Sequence, residues 1–213
     1  MTRYLKLSVS VCLGVFITGL VQNLALPAMV KVRPAMVQTK RMTSREVEQL
    51  VGNRTRAVVV ALRDRDMKAL SSFVHPKKGV RFSPSAYVNP QSDIVFTQTQ
   101  VKNLFTIQKR YAWGESDGSG ASIRLTPKQY FSQFLYQRDY LKSPKIAFNQ
   151  VIGEGNTVNN VLEIYPQGIF VEYYVPGRDK TIDYRDWSSL RVVFEEFNHE
   201  WYVVGLIHDG WSI

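Results

Sequence analysis

Residues 189–213 read SLRVVFEEFNHEWYVVGLIHDGWSI, two strands and the turn between them. Leu190, Val192 and Phe194 alternate with Arg191 and Glu195, the period of two expected of a strand with distinct faces. Asn198-His199 is the turn, and the returning strand is apolar on both of its faces. A strand of that kind belongs in the middle of a sheet, covered from both sides. The rest of the chain therefore has to supply neighbours and two covering layers.

Working outward, GIFVEYYV (168–175) and KIAFNQVI (145–152) read as further strands, and VLEIY (161–165) as a short one after the turn-rich EGNTVNN. YAWGESDGSGASIRLT (111–126) reads as a hairpin turning at Asp117-Gly118-Ser119-Gly120, and KKGVRFSPSAYV (77–88) as a loop entering a short strand. The earlier half is helical. Thr43 with Glu46 opens a helix, and Val47, Leu50, Val51, Val58, Ala61 and Leu62 keep helical spacing, with a lapse at Arg54 and Thr55. Asp64-Arg65-Asp66 breaks and recaps it, and a second helix runs to His75-Pro76, where the residue before proline leaves the helical region. Thr97 with Gln100 forms a capping-box pattern, and Thr126-Pro127 starts a helix over KQYFSQFLYQRDYL (128–141). Helices followed by strands define an α+β protein, with N-terminal helices packed on a curved antiparallel sheet.

Two stretches resemble a known superfamily. VVVALRDRDMKALSSFVHP (58–76) is similar to the opening helices of the NTF2-like superfamily, and EEFNHEWYVVGLIHDGWSI (195–213) to its closing hairpin. The resemblance implies a cystatin-like α+β cone with a concave pocket, spanning residues 43–213 as one domain. Residues 111–142 exceed the minimal pattern of that fold. HPKKGVRFSPSAYV, WGESDGSG, FVEYYVPG, DWSSLRVVFE and WYVVGLIHDGWSI further resemble a group of bacterial exported proteins and lipoproteins that brings no activity with it. NTF2-like proteins include isomerases and plain binding modules, so the fold does not supply the function.

The first 28 residues stand apart from this globule. Arg3 and Lys6 precede the apolar run LSVSVCLGVFITGLV, and small or turn-prone residues follow to Ala28. That is the pattern of a secretory signal, too short for a span of about 20 apolar residues. The expectation is export to the periplasm or beyond, with an uncleaved membrane anchor as the alternative. Residues 29–42 form a basic linker carrying Lys31, Arg33, Lys40 and Arg41. Cys12 is the only cysteine and lies in the signal, so the exported domain has neither a disulfide nor a thiolate. Loss of Arg3 and Lys6 lowers the net charge from +9 to +7. Contact between the basic arm and an anionic surface is one expectation; nucleic acid is not, for want of any motif or interleaved aromatics.

Candidate chemistry is sparse. The histidines are His75, His199 and His208, too scattered for a zinc site, and neither a nucleophile elbow nor a phosphate loop occurs. Neither a metal nor a cofactor is expected. His75-Pro76-Lys77-Lys78-Gly79 reads as a basic surface loop or an anion site. His208 shares a face with Tyr202, Val204 and Leu206 if its strand is regular, and Glu172 lies with Phe170 and Tyr174. If both faces lined one pocket, His208 with Glu172 or Asp209 could do the acid–base work of a hydrolase, isomerase or lyase. His208 and Asp209 themselves point to opposite faces. The other reading is a non-enzymatic domain that binds a small molecule, an envelope polymer or a partner protein, a second copy of the chain included. Its candidate contacts are Tyr174, Trp187, Trp201 and Tyr202, within a wider aromatic set that includes Tyr87, Trp113, Tyr130, Phe134 and Trp211. A third reading is a structural protein at an anionic envelope surface.

Overall fold

A computed structural model describes residues 42–115 and 120–211. The Asn198-His199 turn closes a hairpin with both residues at positive φ, 52° and 64°, as a two-residue loop between right-twisted strands requires. The strands it joins are β7 (Ser188–Phe197) and β8 (Glu200–Gly210). Ahead of them come β1 (Val80–Ser83), β2 (Ile94–Phe96), β3 (Tyr111–Glu115), β4 (Ser122–Leu125), β5 (Lys145–Phe148) and β6 (Ile169–Val175). Six strands form one sheet in the order β2-β1-β8-β7-β6-β5, and β3 and β4 form a separate hairpin. The strand β8 is central, as its two apolar faces demand. It runs parallel to β1 and antiparallel to β7, so the sheet is mixed where a wholly antiparallel one was expected.

The helix α1 (Ser44–Arg63) begins at a full capping box. Thr43 Oγ1 accepts the Glu46 amide at 3.3 Å, and a Glu46 carboxylate oxygen accepts the Thr43 amide at 2.6 Å. Its buried stripe is Val47, Val51, Thr55, Val58, Val59 and Leu62, all at helical spacing. Thr55 continues the stripe across the expected lapse, and Leu50, expected on the stripe, faces outward. Burial of this face holds so β-branched a segment helical; each fully buried Val or Leu contributes roughly 1.5–3 kcal/mol. Asp66 caps α2 (Met67–Phe73) by accepting the Ala69 amide at 2.9 Å. Next come α3 (Gln98–Lys102), with its predicted capping box, and α4 (Pro127–Tyr130), which starts at Thr126-Pro127 as expected and closes a further capping box through Gln129. The expected helix over 128–141 is cut short: after Tyr130 the chain widens into a π-turn over Phe131–Leu135. The expected VLEIY strand is instead a single helical turn, α5 (Val161–Ile164). Val161 and Tyr165 drop into one apolar cluster with Leu162 and Ile164 packed against it, whereas a strand, with its period of two, would have turned Leu162 and Ile164 to the opposite face.

Each face of the sheet has its own core. Val171, Leu190, Val192, Phe194, Val203 and Leu206 pack against the helices. Phe170, Val193, Val204 and Ile207 pack on the other side beneath Val88, Val161 and Tyr165. A register shift between Val193 and Phe194 lets Val204 bulge out of the ladder. Alternation changes phase there, and this settles where His208 points. All these elements fall within one compact unit, Lys40–Ile213. The signal, most of the linker and Asp117-Gly118-Ser119 lie outside the described residues. Among the described residues no helix is long and apolar enough to cross a membrane.

Candidate functional site

The bulge separates the proposed acid–base partners. His208 lies on the helix-covered side of the sheet with Leu206 and Val203, not with Val204. Glu172 lies on the opposite side. The expected pairing of His208 with Glu172 is therefore corrected: the sheet stands between them. What Glu172 meets is Asp209, through Arg191. Arg191 Nε donates to Glu172 at 2.9 Å and Nη2 donates to Asp209 at 2.7 Å, with all three side chains buried. Glu172 also accepts the amides of Ile152 and Gly153, at 3.1 and 2.9 Å, and the Ser189 hydroxyl at 2.5 Å. Arg191 Nη2 donates in addition to the Gly153 carbonyl at 3.1 Å. Two carboxylates on one cation, strapped by the loop after β5, make a structural clamp. Burial raises the pKa of Asp209, and Arg191 only partly offsets it.

His208 sits where the β1–β8 pairing stops. The last pair is Ser83 with Ile207, and Pro84, lacking an N–H, cannot extend the ladder. Its carbonyl is then left to accept from His208 Nδ1 at 3.0 Å. A carbonyl can only accept, so Nδ1 carries the proton and Nε2 is an acceptor. The Gln137 amide donates to Nε2, and Ser188 Oγ lies 3.4 Å from it. Ser188 in turn accepts from Gln137 at 3.1 Å and bonds Tyr140 at 2.7 Å. Burial lowers the pKa of His208 and pushes the Tyr140 phenol up to about 12, so both stay neutral. Ser188, His208 and Pro84 follow the nucleophile–base–orienter order. Yet Ser188 is buried beneath Gln137, and the imidazole lone pair already takes an amide proton.

This imidazole forms one wall of a cleft of about 650 Å³. The loop after β1 supplies Tyr87, Asn89 and Asp93; the β3–β4 hairpin supplies Trp113 and Glu115; the end of β8 supplies Trp211. Trp113 is fixed by stacking on Tyr130 at 3.8 Å and by donating its indole N–H to Leu125 at 2.9 Å. Gly114, at φ 131°, lets β3 slip register, and a Cβ there would lie 3.4 Å from the Pro84 ring. The hairpin thus closes on the same proline that holds His208. Phe134, in the π-turn, meets His208 edge-on at 6.0 Å. Asp93 accepts from Ser83 Oγ at 2.6 Å and from the Asn89 amide at 2.9 Å, and burial raises its pKa.

The other expected residues fall elsewhere. Tyr174 and Trp187 pack together at 5.7 Å on the Glu172 side of the sheet. Tyr202 packs on His75 at 5.9 Å, and Trp201 leans on the main core. None of these four lines the cleft. His75 is buried, and its Nδ1 accepts the amides of Lys77 and Lys78 at 3.1 and 3.0 Å, while Lys78 pairs with Glu195. Those two amides hold the histidine and are not free for an anion. His199 is exposed in its turn. Among the described residues no group of three or more His, Cys, Asp or Glu is placed to hold a metal ion. Sequence reasoning did not single out Pro84, Asp93, Gln137 or Ser188. The proline after a short strand marks the ladder's end, but nothing in the sequence places Gln137 against His208.

No family model matches the chain, and no curated protein does. It is similar to several solved structures. One is described as a calcium/calmodulin-dependent protein kinase II association domain from Xanthomonas campestris, at 12% identity over 81% of this chain and 89% of that one, with a TM-score of 0.34. Another is a domain with a cystatin-like fold from Nostoc punctiforme, at 10% identity over 78% of each chain, with a TM-score of 0.35. A third is an NTF2-like protein with a cystatin-like fold from Novosphingobium aromaticivorans, at 10% identity over 79% of this chain and 83% of that one, with a TM-score of 0.34. The α+β class rests on the helices and mixed sheet described above.

Proposed function

We propose that the protein is an exported, non-enzymatic binding domain whose ligand occupies the cleft beside His208. The observation that carries this reading is the state of the imidazole. Both ring nitrogens are engaged, Nδ1 with Pro84 and Nε2 with Gln137, so His208 is a fixed wall and not a free base. The rest of the cleft combines aromatic surface with a few placed polar groups, the usual makeup of a small-molecule site. A fragment screen read by protein NMR tests it. Binding predicts hits that perturb Trp113, His208 and Trp211 together and are lost in Ser92→Trp, which fills the cleft from an exposed position. Hits scattered over the surface, or none, contradict it. Export is tested separately by the denaturing mass of the protein from its own cells. Cleavage near Ala28 supports it, and a full-length mass restores the anchor.

A further inference from the structure

The cleft's chemistry defines the ligand class, on the assumption that the cleft is the binding site. Among the described residues its walls hold two carboxylates, Asp93 and Glu115, and neither a lysine nor an arginine. This is not scarcity of cations, since the chain carries 27 Lys and Arg against 18 Asp and Glu. Two guanidinium groups beside lining residues are otherwise occupied. Arg81 donates to the backbone carbonyls of Asn89 and Asp93 at 3.3 and 3.5 Å, and Arg185 lies over the Trp211 ring at 4.6 Å. His208, also in the wall, is fixed by Pro84 in the tautomer whose Nε2 accepts, and the Gln137 amide takes that place, so it adds no charge. The Trp113 N–H is already used on Leu125. Beside these acceptors, the buried hydroxyl of Tyr130 has no hydrogen-bond partner, and the Asp93 charge acts on it. Asp93 is half-buried; its direct hydrogen bonds come from neutral donors, Ser83 and the Asn89 amide, and the Arg81 guanidinium acts on its charge only from nearby.

We infer that the ligand is an organic cation: an amine joined to a ring, its ammonium at Asp93 and its ring against Tyr87 and Phe134. The ammonium supplies the positive charge that the described walls lack and neutralises a carboxylate kept partly out of bulk water.

The test is a matched pair of probes, tyramine and 3-(4-hydroxyphenyl)propionate, which share a phenol and differ in the sign of the charged end. Each is titrated into the whole protein at about 0.15 M salt, where long-range attraction is screened, with the indole and imidazole NMR signals of the cleft as readout. Tyramine is expected to bind at least about tenfold more tightly than the propionate, against the protein's own positive charge. Asp93→Asn is expected to remove that preference while keeping the fold, since the amide oxygen still accepts from Ser83 and Asn89. Glu115→Gln, at an exposed position, checks the second carboxylate without any risk to folding. Equal or tighter binding of the propionate in the cleft overturns the cation inference and leaves the binding reading standing. Failure of both probes to move any cleft signal at millimolar concentration overturns both. Preference for tyramine that survives both substitutions overturns the assignment to these carboxylates.

Discussion

At Arg191 one cation answers two carboxylates in the dry interior, and removing it is far worse than trimming an acid. Arg191→Leu leaves Glu172 and Asp209 buried and unpaired, and is expected to cost about 3 kcal/mol or more in urea unfolding. Asp209→Asn keeps an oxygen for Arg191 and removes the excess charge, and is expected to cost less than about 1.5 kcal/mol. The pH dependence has a definite sign. Burial raises the Asp209 pKa above its ordinary 3.8, so the folded state holds the proton more firmly than the unfolded chain. Its contribution to stability therefore grows as pH falls towards 4, and wild type should gain on Asp209→Asn over that range. His208 acts in the opposite direction. Burial lowers its pKa below 6.5, so the unfolded chain takes up the proton first and stability is lost as pH falls below that value. Unfolding of wild type and His208→Gln at pH 7.5 and 5.5 measures it, and the variant should lose less. His75, whose pKa burial also lowers, leaves a residual loss in both.

The loop that follows β5 is an element defined by its contacts, not by regular structure. Ile152 and Gly153 donate to Glu172, and a Cβ on Gly153 would lie 2.5 Å from the Trp187 ring and 2.8 Å from Ser189 Oγ. Gly153→Ala is therefore expected to destabilise by about 1–3 kcal/mol, with the tryptophan fluorescence of the native state altered. A drop in stability without any change at Trp187 would contradict the packing described. The helix starts at Thr43, Thr97 and Thr126 and the central place of β8 were legible in the sequence, because capping and alternation are local and strongly patterned. The phase of alternation past Val204 was not. A bulge is set by the partner strand, and missing it places His208 on the same side as Glu172. VLEIY failed as a strand for a related reason: four apolar residues fit either period, and only the second core decides between them. The short strand β2 carried too few residues to show any period.

Across the whole molecule, the sheet is a divider with different work on each side. One side beyond the helices carries the cleft, ending at His208 and roofed by the β3–β4 hairpin. The other carries the Glu172–Arg191–Asp209 clamp. Adjacent residues of a single strand, His208 and Asp209, thus belong to separate systems, which is why the pair is not a catalytic dyad. The cleft itself was not legible, because its lining comes from five separate segments, although four of its aromatics, Tyr87, Trp113, Phe134 and Trp211, stood out in the sequence. The most direct test of the binding account is a pair of mass spectra, native and denaturing, of the protein purified from its own cells, for wild type and Ser92→Trp. The account predicts a discrete extra mass on native wild type that is absent under denaturing conditions and absent from the variant. A native wild type with no added mass, or an added mass that Ser92→Trp retains, would contradict it.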